Sequence, residues 1–284
     1  MLPRLRKRTT TKTKKNRLWF QGLLLVGLLM LPACQENPSA ELFLEAGDAL
    51  REGRVDEALS YYNKVVSLYP KSDAAQEAHY WVGEIYRLFK KQPEEGISFF
   101  RKALAEGGQT KFAEKAQRNI AEIYISDLKN HKKAIPELQQ LIDKFPDSIY
   151  AAEAQYLIGQ SYMAIGEYEQ ARIEYNTLLD RYASSDYRDD AAYRAAVAYY
   201  RSGAFTKARG EYENFITLYP ESQLLVNARL GLVNTLEELK EIDQALTQLV
   251  SLEKEYPNQE IILRKVDSLL KKKSAMREEL RGKK

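Results

Sequence analysis

Residues Gly159–Ser185 read GQSYMAIGEYEQARIEYNTLLDRYASS, and Ala196–Ser222, 37 residues on, read AVAYYRSGAFTKARGEYENFITLYPES. The two stretches share one wording. A small residue (Gly159, Ala196) is followed three later by Tyr162 or Tyr199, then by Gly166 or Gly203, an aromatic (Tyr168, Phe205), Ala171 or Ala208, and Tyr175 or Tyr212. Strand-like alternation is absent, so each stretch reads as two helices parted at the Gly. Ala151–Ala164 is the first helix of one unit and Glu167–Tyr182 the second. Glycine suits the break because it accepts left-handed dihedrals without a Cβ clash.

Working outward, the junction after the second helix recurs as LYPKS, KFPDS, RYASS, LYPES and EYPNQ, with Pro70, Pro146, Ala183, Pro220 and Pro257 at one phase. These markers lie 76, 37, 37 and 37 residues apart. The first gap is two periods, with a marker missing near Gly108, so six units run from Glu41 to Pro257. The proline is expected to stop the second helix, and Ser72, Ser148, Ser185 and Ser222 to cap the next one. Ala58, Ala134, Ala171, Ala208 and Ala245 precede Tyr62, Leu138, Tyr175, Tyr212 and Leu249 by four, which puts each pair on one helix face. In the first helices Gly83, Ala121, Gly159 and Ala196 precede Tyr86, Tyr124, Tyr162 and Tyr199, and those tyrosines are expected in the core. Gly53 shares the phase of Gly166 and Gly203. Unit two departs with Gly96 in place of the Ala and a loop, Lys90 to Glu94, one residue longer.

This wording resembles the tetratricopeptide repeat over 217 of the 284 residues. The resemblance implies an all-α, right-handed solenoid of six helix pairs. A period of 37 to 38 residues, against about 34 for the family, suggests helices lengthened by nearly a turn. Beyond the units, Ile262, Val266, Leu269, Met276 and Leu280 form one stripe of a C-terminal capping helix, with Lys271, Lys272, Lys273 and Arg277 expected in solvent.

The N-terminus is of another kind. Residues 1–33 carry eight basic and no acidic residues, then an apolar run from Leu18 to Leu31 that is too short to span about 30 Å of hydrocarbon. A basic stretch, a short apolar run and small residues read as a secretory signal. Leu31-Pro32-Ala33-Cys34 resembles the bacterial lipobox, which implies cleavage after Ala33 and acylation of Cys34, the sole cysteine. Multiple acyl chains anchor stably where one does not. Gln35 rather than Asp follows, so the resemblance points to the outer membrane, with the body in the periplasm. The expected boundaries are a signal peptide at 1–33, a tether at 34–40, repeats at 41–258, and a C-terminal helix with a basic tail at 259–284.

The net charge of +3 hides an uneven spread. Residues 34–263 hold 26 basic and 37 acidic side chains. An acidic body is a poor match for phosphates, so nucleic acid is not an expected partner. One Cys and two His, His79 and His131, leave no metal cluster of those residues, and no cofactor or metal is expected. Residues 107–111, GGQTK, reverse the Thr and Lys of a phosphate-binding loop, no Ser stands in a nucleophile elbow, and adjacent acidic pairs such as Asp189-Asp190 point apart on a helix. The reading is therefore not an enzyme.

Function is expected on the concave face lined by first helices. Phe43, Tyr80, Arg118, Tyr156 and Tyr193, with Leu230, lie three before the small residue, and Glu84, Glu122, Gln160 and Val197, with Gly47 and Asn234, one after it. That is a groove of aromatic and polar side chains with few fixed charges, suited to an extended or helical peptide. The lipidated Cys and the Tyr-Pro-x-Ser junctions are similar to the BamD lipoproteins of the outer-membrane β-barrel assembly machine. That likeness implies unfolded outer-membrane proteins and a barrel-assembly subunit as partners. The repeat wording is also similar to the Tol-Pal-associated CpoB (YbgF) family, and a secretin or pilus assembly lipoprotein is a further alternative.

Overall fold

The computed structural model describes residues 38–106, 111–252 and 258–282. Cys34, the expected marker near Gly108 and Pro257 lie outside the described residues. Thirteen helices follow one another, with no strand among the described residues. They are α1 Pro38–Arg51, α2 Val55–Leu68, α3 Asp73–Leu88, α4 Pro93–Glu106, α5 Lys111–Glu122, α6 His131–Lys144, α7 Ala151–Ala164, α8 Tyr168–Arg181, α9 Arg188–Arg201, α10 Phe205–Leu218, α11 Leu225–Glu238, α12 Ile242–Leu252 and α13 Gln259–Gly282. Each helix packs on the next, and first helices also meet first helices of neighbouring units. The result is six helix pairs and a capping helix, as the repeat wording implies. α1 begins at Pro38, three residues before the expected first repeat, with Ser39 only 1% exposed. Proline suits a first helical position because its missing N–H has no partner there anyway.

The small-and-large pairing is the core. Ala58, Ala134, Ala171, Ala208 and Ala245 are fully buried, and so, within a few per cent, are the residues four later. In unit two Gly96 and Phe100 fill the same roles. The large side chains lean toward glycine. A Cβ added to Gly83 would stand 2.8 Å from the Phe100 ring, and one on Gly159 2.6 Å from the Tyr175 ring. In unit five the first helix offers Ala196 instead, and Tyr212 turns to the next unit, where a Cβ on Gly231 would meet its ring at 2.5 Å. Unit three pairs Ala121 with Leu138 and needs no such gap.

The turn between paired helices uses a left-handed residue in every unit. Gly53, Gly166 and Gly203 have φ of 78°, 84° and 79°, and Lys91, Lys129 and Lys240 take 56°, 51° and 64° at the same phase. Unit two has the longer connection, residues 89–92, as its sequence indicates. Proline is not what ends the second helices. Tyr182, before Ala183, adopts φ −125° and ψ 44°, close to Tyr219 before Pro220 at −128° and 55°.

Among the expected serine caps, only Ser72 sits at the N-cap, its Oγ accepting from the Ala75 N–H at 3.1 Å. Ser148 and Ser222 lie two residues ahead of the caps Tyr150 and Leu224 and accept from those N–H groups instead. The hydroxyl of Ser185 is buried without a partner among the described residues. A full turn precedes each of these three helices, which moves the helix start past the serine. Asn130 caps α6, accepting from the Lys133 N–H at 3.2 Å.

Other departures are local. Tyr86, Tyr124, Tyr162 and Tyr199 are half-buried rather than core. They border the clusters; Tyr86 stacks on Phe99 at 5.2 Å, and the Arg172 guanidinium covers Tyr199 at 5.1 Å. His79 is buried. In α13 Ile262 and Leu269 are buried, with Val266 and Met276 packed beside them. Lys271, Lys272 and Arg277 are exposed as expected and Lys273 is half-buried; Lys272 also pairs with Glu237, as does Lys265, and Lys273 pairs with Asp243. These ties fasten the cap to unit six.

Candidate functional site

α3, α5, α7, α9 and α11 stand side by side and carry the expected groove positions. Each aromatic in this row packs back on the large residue of its own unit. Phe43 meets Tyr62 edge-on at 5.3 Å, Tyr80 lies 5.5 Å from Phe100, Tyr156 5.9 Å from Tyr175 and Tyr193 6.3 Å from Tyr212. Tyr156 is only 5% exposed. These rings are therefore walls first.

Polar side chains then link unit to unit. The Asn119 amide donates to the Tyr80 hydroxyl at 3.3 Å and to Glu84. Arg118 grips Glu153 with two hydrogen bonds of 2.8 and 2.7 Å and reaches Glu122 at 3.2 Å. Arg87 joins Glu122 at 3.3 Å and Asp127 at 2.9 Å. A π-helical turn, Ile123–Asp127, follows α5 and contains that aspartate. The Arg194 Nε donates to the Tyr156 hydroxyl at 2.7 Å and to Asp190 at 2.9 Å, and Gln160 donates to the same hydroxyl at 2.8 Å. The expectation of few fixed charges is corrected here. The face between units two and five is a chain of paired charges, because long side chains from adjacent first helices can reach each other across it.

The environment moves their ionisation accordingly. Burial, assisted by Glu84, pushes the Tyr80 phenol up to about 12, and burial with the Asp190 hydrogen bond does the same to Tyr156. Burial raises the Glu84 carboxyl despite nearby Arg87. The hydrogen bond to Glu153 holds the Arg118 guanidinium still more firmly protonated. These groups pair with and position one another across the face.

The chain of links changes at unit six. The position occupied by Asn119 in unit three and Arg194 in unit five is Gly231. A cavity of about 360 Å³ opens there, lined by Tyr193, Val197, Tyr200, Arg201, Tyr212, Asn227, Leu230, Gly231 and Asn234. A second, of about 380 Å³, shares Arg201 and is lined further along by His131, Gln160, Met163, Ala164, Tyr168 and Arg194. Of the expected groove residues, Tyr193 faces the first hollow and Gln160 the second, with Val197, Leu230 and Asn234 beside Tyr193. Phe43, Tyr80, Glu84, Arg118, Glu122 and Tyr156 line neither. Tyr200, Arg201, Asn227 and Gly231 were missed; reading down the phase of Asn119 and Arg194 to a glycine is the signal that finds the hollow. Among the described residues no group of His, Cys, Asp and Glu could hold a metal ion, and no helix is long and apolar enough to cross a membrane.

Comparison with known proteins agrees with this architecture. Tetratricopeptide-repeat family models match residues 43–110 and 115–148. The model of a further family, YfiO, described as an outer membrane lipoprotein, matches residues 155–262. No curated protein matches the chain. Among solved structures, YrrB, described as a tetratricopeptide-repeat protein with an unusual peptide-binding site, is 22% identical, with 68% of this chain and 94% of that chain covered at a TM-score of 0.50. A tetratricopeptide repeat protein from Parabacteroides merdae is 17% identical over 83% of this chain and 88% of that one, at 0.52. PilW, a type IV pilus biogenesis factor, is 15% identical over 80% and 99%, at 0.50. At these identities the likeness concerns the fold. The chain is a tetratricopeptide-repeat solenoid whose C-terminal half resembles an outer membrane lipoprotein family.

Proposed function

We propose that this chain is a lipid-anchored periplasmic scaffold that binds extended segments of envelope proteins on its inner face, in the assembly of outer-membrane β-barrels. The observation that carries the reading is a coincidence of place: the stretch resembling the outer membrane lipoprotein family, residues 155–262, also holds the face where the inter-unit links give way to open cavities. Acylated Cys34 would hold the solenoid at the membrane, and the aromatic walls and fixed charges of the inner face would recognise the partner. The paired residues between Tyr80 and Tyr156 set the spacing of the first helices, so the rows of the groove are rigid before a partner arrives. An enzymatic role gains no support from the groups along this face.

Depletion in the native host tests this. Folded β-barrels should fall and the periplasmic stress response should rise. Unchanged barrels with a septation defect would overturn the proposal in favour of Tol-Pal coordination, a reading the matches above do not favour.

A further inference from the structure

We infer that the hollow in unit six is a socket for an extended partner segment carrying an aromatic residue and, two positions away, an acidic side chain. The inference deepens the scaffold reading above and rests on it.

The first observation is a broken series. Tyr80 and Tyr156 each accept a hydrogen bond from a side chain of the next unit, Asn119 and Arg194. Tyr193 is next in phase, and its counterpart is Gly231, so its hydroxyl has no partner among the described residues. No side chain at position 231 can take the place of Asn119 or Arg194, since a Cβ at Gly231 would meet Tyr212 at 2.5 Å. The open space is walled by Tyr193, Tyr212, Val197 and Leu230. Aromatic and branched walls with one hydroxyl not tied to a neighbouring side chain suit a flat apolar ring with a polar edge, tyrosine best of all.

The second observation concerns the rim. Asn227 and Asn234 are exposed on α11, two turns or about 10.5 Å apart, and neither has a hydrogen bond among the described residues. A primary amide offers both donor and acceptor, and three residues of extended chain span about 10 Å. The two amides can thus pair with the segment's backbone on either side of the ring.

The third is charge. Arg87, Arg118 and Arg194 all hold carboxylates on this face. Arg201 does not: among the described residues its nitrogens reach only the Tyr168 hydroxyl, at 2.9 and 3.3 Å, with the guanidinium over that ring. It is exposed and sits one turn, about 6 Å, beyond Val197, the reach of two extended residues. The second cavity lies on its far side. A bound segment therefore runs past Arg201, and the anion it meets is an acidic side chain within the segment.

The test uses the full chain in detergent and a short extended peptide, capped at both ends, with an internal Tyr-Thr-Glu, read by fluorescence anisotropy. Replacing its Tyr by Ala, or its Glu by Gln, should each weaken binding about tenfold. Arg201→Gln should weaken the parent peptide about tenfold and leave the Gln peptide unchanged. Asn234→Trp should plug the hollow and abolish binding. Both positions are exposed, and unchanged helix content by circular dichroism confirms the fold. No binding of the parent peptide, equal losses for both peptides on Arg201→Gln, or better binding of a peptide whose only carboxylate is its chain end would overturn the inference. Loss of barrels on depletion with no peptide binding removes the socket alone. Peptide binding with unaffected barrels removes the envelope role and keeps the socket.

Discussion

Gly159→Ala is expected to destabilise unit four although it places a better helix former inside a helix. The new methyl carbon would stand 2.6, 2.8 and 2.9 Å from three atoms of the Tyr175 ring. Ordinary contact begins near 3.4 Å. The ring is fully buried among Tyr156, Ala171, Leu178, Ala191 and Ala195 and has little room to retreat. Overpacking of this kind costs about 1–3 kcal/mol. The gain in helix propensity over glycine returns at most about 1 kcal/mol. With the full propensity gain returned, the net expectation is a loss of up to about 2 kcal/mol. Unit three already shows the alternative packing, with Ala121 against Leu138, so Gly159→Ala combined with Tyr175→Leu should lose less than the two single changes summed. The Tyr175 hydroxyl is buried without a partner among the described residues, so removing it leaves no stranded acceptor there. Urea unfolding of the four proteins closes the cycle. A neutral or stabilising Gly159→Ala, or strict additivity, would refute the idea that ring and glycine are matched.

Lys129 holds a left-handed backbone and is exposed, so Lys129→Gly should raise stability by about 0.5–1 kcal/mol in the same urea assay, and Gly166→Ala should lower it comparably. Ala171→Phe or Ala208→Phe should cost about 1–3 kcal/mol or more, seen as a lower thermal midpoint. Burial pushes the Glu237 carboxyl up, but hydrogen bonds from Lys265 and Lys272 outweigh it and hold the group below its ordinary 4.5. The folded value lies under the unfolded one, so the stabilisation is present above about pH 4.5 and is lost as the pH falls through the folded value. Hydrogen exchange should show α13 loosening on acidification, with a flatter response in Glu237→Gln. Cys34→Ala should release the secreted protein from membranes after a carbonate wash; continued sedimentation with outer membrane would contradict acylation at that thiol.

The repeat was legible because packing repeats. Each small residue and the large residue four later must share one buried helix face in every unit, so the spacing survives where the junction wording drifts, as at Ala183. Proline was a marker without being the cause: Tyr182 stops its helix without one. The serines misled because a turn precedes three of the helices, and the same Ser-to-helix spacing does not hold from unit two to the later ones. The half-buried tyrosines were misplaced for a similar reason, since a period of three says which face a side chain shares and not how deep it lies. The groove was legible as a row of positions but not as a charge pattern. Arg87, Glu153, Asp190 and Arg194 come from other phases of the helix and meet only when adjacent units stack. The hollow depends on what is missing at one position, Gly231, and shows only when one phase is compared down all the units.

The most direct measurement is photo-crosslinking in living cells from a photoreactive residue at Asn234, beside the unit-six hollow, with exposed Ile149 outside both cavities as the control site. The account predicts adducts with unfolded outer-membrane proteins from Asn234 and few from Ile149. Adducts only with Tol-Pal components, or equal labelling from both sites, would contradict it.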